Sequence, residues 1–161
     1  MSIQKLGLGG GCHWCTEAIF NQIKGVQSVE QGWLNSPDFP DLSEGISIIF
    51  ESDYIRLSEL IKIHLLTHSS GSNHPLRSKY RSAIYVTNED QRNKAQLYIN
   101  QLQKQHDQSI ITKVLYYGDF KLNQSKYLNY YDRHKGNVFC ERYIDPKLNV
   151  LHSKFSHLMK K

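Results

Sequence analysis

Three consecutive glycines at positions 9–11 separate two segments whose apolar residues repeat with different periods. Residues 3–8 alternate well enough for a short strand, whereas the apolar residues at positions 14–23 recur at helical spacing. Gly25 then suits the C-cap of that helix. The spacing predicts a strand, a tight glycine-rich turn and a helix, with Cys12 at the turn.

Cys12 is the residue of this turn that carries chemistry. The free N–H groups and the positive dipole end at a helix N-terminus stabilise a thiolate, and a lowered thiol pKa makes a cysteine reactive near neutral pH. The position therefore favours redox chemistry at sulfur. The alternative is that Cys12 and Cys15 are an inert buried pair, since free cysteine is among the most buried residue types.

Four segments of the chain carry a family resemblance. Residues 11–17, Gly-Cys-His-Trp-Cys-Thr-Glu, resemble the signature Gly-Cys-Phe-Trp-Cys-x-Glu of the A-class peptide methionine sulfoxide reductases, with His13 in place of phenylalanine. Residues 43–45 resemble the His-Ala-Glu segment of that family, and residues 80–85 match its Tyr-Arg-Ser-x-Ile-Tyr block. Residues 140–148 are similar to the tail of members that end in Cys-x-x-x-Ile-x-Pro-Lys-Leu. The chain thus resembles a divergent peptide methionine-S-sulfoxide reductase.

The resemblance implies an oxidoreductase that reduces methionine S-sulfoxide, free or in proteins, as protein repair under oxidative stress. The oxygen of a sulfoxide leaves only when it is protonated, so the reaction needs a sulfur nucleophile, an acid and an apolar pocket. By resemblance, Cys12 attacks and becomes a sulfenic acid, Glu44 is the acid and Tyr80 donates a hydroxyl to the same oxygen. An ordinary loop carboxylate and a packing tyrosine are the alternatives.

The expected substrate pocket departs from the family pattern. Trp14 would be the wall against which the substrate methyl packs, with His13 and Phe39 in the same pocket, unless Trp14 is a core residue. Phe39 replaces a tyrosine that helps bind the oxygen, Pro75 an acidic residue and Gln124 a glutamate. Losing one of two hydroxyl donors costs about 1–3 kcal/mol of transition-state stabilisation, so we expect activity to persist at an altered rate.

Two thiols remain to convert the sulfenic acid to a disulfide. Cys15 is nearest in sequence, but Cys140 follows residues 135–137, which have the composition of a mobile loop. Closing a long loop costs little extra once the fold has brought the tail near the site. The family's tail points the same way, so we favour Cys140 as the resolving cysteine, with Cys15 as the alternative. Thioredoxin is the expected reductant, and no bound cofactor is expected.

Two other function classes stay open. A strand, Cys-x-x-Cys and helix is also how thioredoxin-like sites are built, which leaves a general thiol-disulfide oxidoreductase, although such folds place a longer βαβ unit before the motif. The second class is a weakened homologue that acts as a binding protein. A zinc or other metal site is disfavoured because a structural site needs a second cysteine pair, which the chain lacks.

Length and composition bear on the number of domains, the location and the partners of the protein. The chain has 161 residues, three cysteines and a formal net charge of +5. The length predicts one domain over residues 1–161, with 135–161 as a C-terminal extension that carries Cys140. The few cysteines fit reduced thiols, no signal peptide or membrane span is evident, and the positive charges are scattered. We expect a cytoplasmic monomer, and nucleic-acid binding is disfavoured, although tyrosines near basic residues leave a single-strand groove as a minor alternative.

Periodicity predicts further alternation of strands and helices. Strands are expected at 26–34, 46–50, 80–86 and 110–117, a loop at 36–41, and helices at 57–65, 88–105, 123–134 and from Asp145 onward. This order predicts an α+β fold, a single domain in which helices pack on a mixed β-sheet. The resemblance implies the same two-layer sandwich.

Overall fold

The computed structural model describes residues 2–67, 81–105, 107 and 109–160. Tyr80 and Pro75, and with them the start of the strand predicted at 80–86, lie outside the described residues. The described residues form these strands and α-helices, in chain order: β1 (Ile3–Gly9), α1 (His13–Phe20), β2 (Val26–Ser36), β3 (Phe39–Glu51), α2 (Leu57–Thr67), β4 (Ala83–Val86), α3 (Glu89–Gln103), β5 (Lys113–Tyr116), β6 (Phe120–Leu122), α4 (Tyr130–His134) and α5 (Asp145–Phe155).

The strands form one mixed sheet in the order β5-β4-β1-β3-β2-β6. Neighbouring strands are antiparallel except β4 and β5, which are parallel. A parallel pair needs a crossover connection, and α3 supplies it between these two strands. The predicted α+β fold with a mixed sheet is confirmed.

Alternation along the strands sends apolar side chains to two faces of the sheet. Leu6 and Leu8 of β1, with Ile46 and Ile48 of β3, join one large cluster with residues of α1, α2, α3 and α5. Leu34, Ala83, Tyr85 and Leu115 form a smaller cluster of their own. The helices therefore cover one face of the sheet, which gives the predicted two layers.

The C-terminal residues pack into this main core. Leu148, Leu151 and Phe155 of α5 are buried in the same cluster as α1. Ile23 and Met159 form an isolated antiparallel bridge, so the end of the chain lies beside the end of α1. No helix among the described residues has the length and apolar character to cross a membrane.

The hairpin between β2 and β3 replaces the predicted loop at 36–41. Strand β2 continues to Ser36 and β3 begins at Phe39, which leaves a two-residue turn. Residues 40–42 of β3 are exposed, so they carry no apolar alternation that would have marked them as a strand. Pairing with β2, rather than burial, makes them a strand. The short β6 at the sheet edge was also not predicted.

The prediction of one continuous helix at 123–134 is wrong. A 3₁₀ turn at Ser125–Tyr127 comes first, and α4 begins only at Tyr130. Between them Asn129 has φ 54°, in the left-handed region, which interrupts a helix. The backbone N–H groups of Asn129 and Tyr130 instead donate to the buried carboxylate of Glu17 at 3.0 and 3.1 Å.

Candidate active site

The turn before α1 has the predicted form. Gly10 has φ 142°, a value that residues with a side chain rarely adopt, and this lets β1 turn sharply into the helix. Cys12 is the N-cap of α1, and its carbonyl accepts the N–H groups of Cys15 at 3.1 Å and Thr16 at 3.2 Å. Its side chain is partly exposed.

The pKa values of Cys12 and Cys15 are shifted in opposite directions. A hydrogen bond from the Cys15 thiol lowers the pKa of Cys12 most, and the backbone N–H groups of Trp14 and Cys15 lower it further, against burial and the charge of Glu44. The same hydrogen bond, with burial, raises the pKa of Cys15. Of the two thiols, Cys12 therefore loses its proton more readily than Cys15.

Glu44 is a buried side chain of β3 rather than an exposed loop carboxylate, with 6% of its surface exposed. Its Oε1 lies 3.3 Å from His13 Nε2 and 3.4 Å from the His13 backbone N. The other ring nitrogen of His13 lies 2.9 Å from the carbonyl of Gly32. Since Glu44 also acts on the pKa of Cys12, the structure brings Cys12, His13 and Glu44 together.

Trp14 is half-buried and stacks on α4. The centroid of its ring lies 4.0 Å from that of Tyr130, and the two rings are nearly parallel, with an interplanar angle of 5°. The centroid of the His13 ring lies 6.3 Å away. Its Nε1 is buried with no hydrogen-bond partner among the described residues. One face of the indole is therefore covered by Tyr130. Trp14 thus belongs partly to the core and lies beside the cysteine turn.

Phe39 lies elsewhere in the fold. It packs against the smaller cluster that contains Leu34 and Tyr85, at the start of β3. The Arg81 guanidinium lies 5.3 Å from the centre of its ring. Trp14 packs against the main cluster, so the two aromatic residues expected in one pocket belong to different clusters. Gln124 is exposed.

Cys140 is fully buried, with 0% of its surface exposed. It begins a π-helix at Cys140–Ile144, where Asn137 Oδ1 accepts its backbone N–H at 2.8 Å. The Cys15 thiol lies 4.0 Å from the Tyr143 carbonyl of the same π-helix. Burial raises the pKa of Cys140. The three cysteines are all unpaired, and residues 135–137 form the turn between α4 and the π-helix.

A buried polar network next to the site was missed by the sequence analysis. Glu17 Oε1 accepts from Gln31 Nε2 at 3.0 Å, and Gln31 Oε1 accepts from Asn123 Nδ2 at 2.6 Å. Burial raises the pKa of Glu17, while the N–H groups of Asn129 and Tyr130 oppose that shift. Glu17 is the last residue of the Gly-Cys-His-Trp-Cys-Thr-Glu motif at positions 11–17. Gln31 and Asn123 are polar residues with no periodic signal in a single sequence.

The described residues contain no group of three or more His, Cys, Asp or Glu side chains arranged to hold a metal ion. Tyr80, the expected hydroxyl donor, lies in the segment that the structure leaves undescribed.

Comparison with known proteins is consistent across sequence and structure. The family model for peptide methionine sulfoxide reductase matches residues 4–159. A peptide methionine sulfoxide reductase MsrA of Acinetobacter baumannii (strain AYE) is 33% identical, over 98% of this chain and 99% of the relative's length. One from Saccharolobus solfataricus is 30% identical, over 95% of each.

Solved structures share the fold. The reduced form of Mxr1 from Saccharomyces cerevisiae superposes with a TM-score of 0.71 at 19% identity, over 86% of this chain and 89% of that chain. A structure of the same yeast protein in complex with Trx2 superposes with a TM-score of 0.56 at 15% identity, over 80% of this chain and 84% of that one.

Proposed function

Because the chain belongs to the peptide methionine sulfoxide reductase family and is an enzyme of that class, we propose that Cys12 is its nucleophile toward the S epimer of methionine sulfoxide. The thiolate attacks the sulfoxide sulfur, one proton is added to the oxygen, methionine leaves and Cys12 becomes a sulfenic acid. The observation that carries this proposal is the position of Cys12 as the N-cap of α1, beside the Cys15 thiol, whose hydrogen bond lowers the pKa of Cys12.

Glu44 is the proposed acid for the sulfoxide oxygen. Its carboxyl is buried, and its charge acts on Cys12, so it is near the reacting sulfur. A protonated carboxyl within hydrogen-bond reach of the oxygen supplies general acid catalysis worth about 10²- to 10⁴-fold. The family motif assigns Tyr80 as a second donor. For the substrate side chain, we propose Trp14 and His13 as pocket residues, and Phe39 remains a proposal that rests on the motif alone.

The contacts support a two-step resolution that uses both remaining thiols. Cys15 touches Cys12, so it attacks the sulfenic acid first, and water leaves as the Cys12–Cys15 disulfide forms. Cys140 then attacks the Cys15 sulfur and releases the Cys12 thiolate. Contact between Cys15 and the π-helix that begins at Cys140 supports this second step. Direct resolution by Cys140, as the sequence favoured, is the competing route.

Thioredoxin is the proposed reductant, free and protein-bound methionine sulfoxide the proposed substrates, and no prosthetic group takes part. The complex of the yeast protein with Trx2 supports this choice of reductant. A cytoplasmic location and a monomeric state, with residues 135–161 as the extension that carries Cys140, complete the proposal.

An epimer-resolved assay coupled to thioredoxin and its reductase tests the function, with insulin reduction as the comparison. We expect turnover of the S epimer, none of the R epimer and little insulin reduction. Rapid insulin reduction without methionine release would identify a general thiol-disulfide oxidoreductase. Binding of the sulfoxide without release would identify a weakened homologue.

Disulfide mapping after one equivalent of sulfoxide tests the resolving steps. Oxidised parent should contain a Cys15–Cys140 pair, and oxidised Cys140→Ser a Cys12–Cys15 pair. Cys15→Ser should still release one methionine per chain but accumulate the Cys12 sulfenic acid. A Cys12–Cys140 pair in the parent, with full turnover of Cys15→Ser, would favour direct resolution by Cys140.

A further inference from the structure

The positive charge of the chain is concentrated beside the cysteine turn. Residues 121–142 carry five lysine and arginine residues against two acidic ones, whereas the whole chain has a net charge of +5. Most of the net positive charge therefore lies in this one segment. The segment also borders the site, because the ring centroids of Tyr127 and Phe139 lie 5.8 and 5.2 Å from that of Trp14.

Three exposed cations of this segment are each held over an aromatic ring. The distances from the charged group to the ring centroid are 5.7 Å for Lys121 over Trp33, 5.0 Å for Lys126 over Tyr127 and 5.9 Å for Arg142 over Tyr143. A neutral ring attracts a cation and fixes its position, but it does not neutralise the charge as a carboxylate would. The three charges therefore remain available to an anionic partner.

Within the part of the chain that the structure describes, no ion pair involves these three cations. The neighbouring acidic residues do not neutralise them. Asp132 pairs with Lys135 at 3.7 Å instead. Glu141 directly precedes Arg142 in the π-helix, and consecutive residues of a helix do not face each other.

The three cations surround Trp14 at a distance that a short peptide can span. Their aromatic rings connect to the Trp14 ring through contacts of 5.0–6.3 Å between centroids: Tyr127 directly, Trp33 through His13, and Tyr143 through Phe139. An extended chain advances about 3.3 Å per residue, so a peptide whose sulfoxide lies beside Trp14 reaches each cation within about five residues.

With the reduction of methionine sulfoxide as its premise, we propose that Lys121, Lys126 and Arg142 select oxidised methionines that lie in acidic segments of proteins. Their charges bind carboxylates within about five residues of the sulfoxide, on either side of it. Free methionine sulfoxide has no such neighbours. Acidic protein segments are therefore the preferred substrate class.

Two other anionic partners fit this surface less well. The three cysteines are unpaired, so the surface belongs to the reduced protein, which is the form that meets the sulfoxide and not the form that meets the reductant. Single-stranded nucleic acid binds by stacking its bases on open ring faces. Here the Tyr127 ring already has the Trp14 ring and the Lys126 ammonium against it.

Three peptides test the proposal in the intact protein, each with one methionine S-sulfoxide flanked on both sides by glutamate, glutamine or lysine. The second-order rate constant of sulfoxide reduction is measured without reductant. At about 0.01 M salt it should be about tenfold higher for the glutamate than for the glutamine peptide, because three exposed charge pairs, each worth about twofold, multiply. The lysine peptide should be slowest. At about 1 M salt, where the Debye length is about 3 Å, the three rates should converge.

A variant that combines Lys121→Gln, Lys126→Gln and Arg142→Gln tests the assignment to these side chains. Its ratio of glutamate-peptide to glutamine-peptide rates should fall to about one. Because the ratio is taken within one protein, a general loss of activity cancels from it. Each single substitution should lower the ratio about twofold, which tests the proposal even if the triple variant does not fold.

A charge-matched control separates these cations from the net charge of the protein. It combines Lys62→Gln, Lys104→Gln and Lys154→Gln, which change exposed lysines of α2, the end of α3 and α5. This control should keep the ratio of the parent. An unchanged ratio in the first variant, or an equal fall in the control, would overturn the proposal.

Two further results would assign the surface to another partner and so overturn the proposal. A loss confined to turnover with thioredoxin would assign the cations to the reductant. Equal rates for the glutamate and glutamine peptides, with binding of a single-stranded oligonucleotide that the first variant loses, would assign them to nucleic acid. Failure of the proposed function looks different, because the parent would then reduce the sulfoxide of none of the three peptides.

Discussion

Among single residues, the reactivity of Cys12 depends on its hydrogen bond with Cys15. The Cys15 thiol donates to Cys12, which lowers the pKa of Cys12 and raises that of Cys15. Two cysteines of the same motif thus have opposite reactivities. Burial adds to the difference, because Cys15 and Cys140 are buried while Cys12 is partly exposed.

Alkylation by iodoacetamide should therefore select Cys12. Because the thiolate is the species that reacts and the pKa of Cys12 is lowered, its rate should reach half of its maximum below the ordinary thiol value of about 8.5. Cys15 and Cys140 should react only after denaturation. Peptide mapping by mass spectrometry across pH measures both, with the protein in urea as control. Earlier labelling of Cys15, or a midpoint above the ordinary value, would contradict this assignment.

At the scale of elements, Glu17 ties α1 to the segment that enters α4. Its carboxylate accepts the N–H groups of Asn129 and Tyr130, and Asn129 adopts the left-handed conformation that turns these groups inward. The same segment carries Tyr130, which stacks on Trp14. A buried carboxylate of α1 thus holds in place the segment whose Tyr130 stacks on Trp14.

Glu17→Gln should lower the free energy of unfolding by about 1–3 kcal/mol, because the amide turns a donor toward the Asn129 N–H and leaves it unsatisfied. Burial raises the folded-state pKa of Glu17, so its contribution in the parent is complete below the unfolded value of about 4.3 and declines as pH rises through the raised value. The deficit of the variant should therefore be larger in acid than at neutral pH.

Urea unfolding at several pH values and hydrogen exchange at Asn129 measure this effect. Glu30→Gln, which changes an exposed glutamate of β2, is the matched control and should be neutral. Unchanged protection of the Asn129 amide in Glu17→Gln would show that another contact holds this segment.

For the whole molecule, the sequence predicted those features of the fold that local sequence patterns determine. The glycine run and the helical spacing after it placed Cys12 at the start of α1, and Asp145 and Pro146 marked the start of α5. The alternation of elements predicted a mixed sheet with helices packed on it.

The rest depended on tertiary contacts. The helix expected at 123–134 is interrupted because Glu17, distant in sequence, takes its amide groups. Strand β6 and the first residues of β3 are held by pairing with β2 and carry no apolar signal of their own. At the site, the resemblance supplied Cys12 and Glu44, but the contact of Glu44 with His13 and the network through Asn123 appear only in three dimensions.

Single-turnover release of methionine from the S epimer, without any reductant, tests most directly the claim that Cys12 attacks the sulfoxide. Cys15→Ser should release a burst of about one methionine per chain, because the attack on the sulfoxide does not use Cys15 as a nucleophile. The parent should release about two, because the Cys15–Cys140 disulfide frees the Cys12 thiolate for a second attack. Cys12→Ser should keep its fold and release none, since a serine hydroxyl is too weakly acidic to supply the nucleophile. A burst from Cys12→Ser close to that of the parent would show that Cys12 is not the attacking residue.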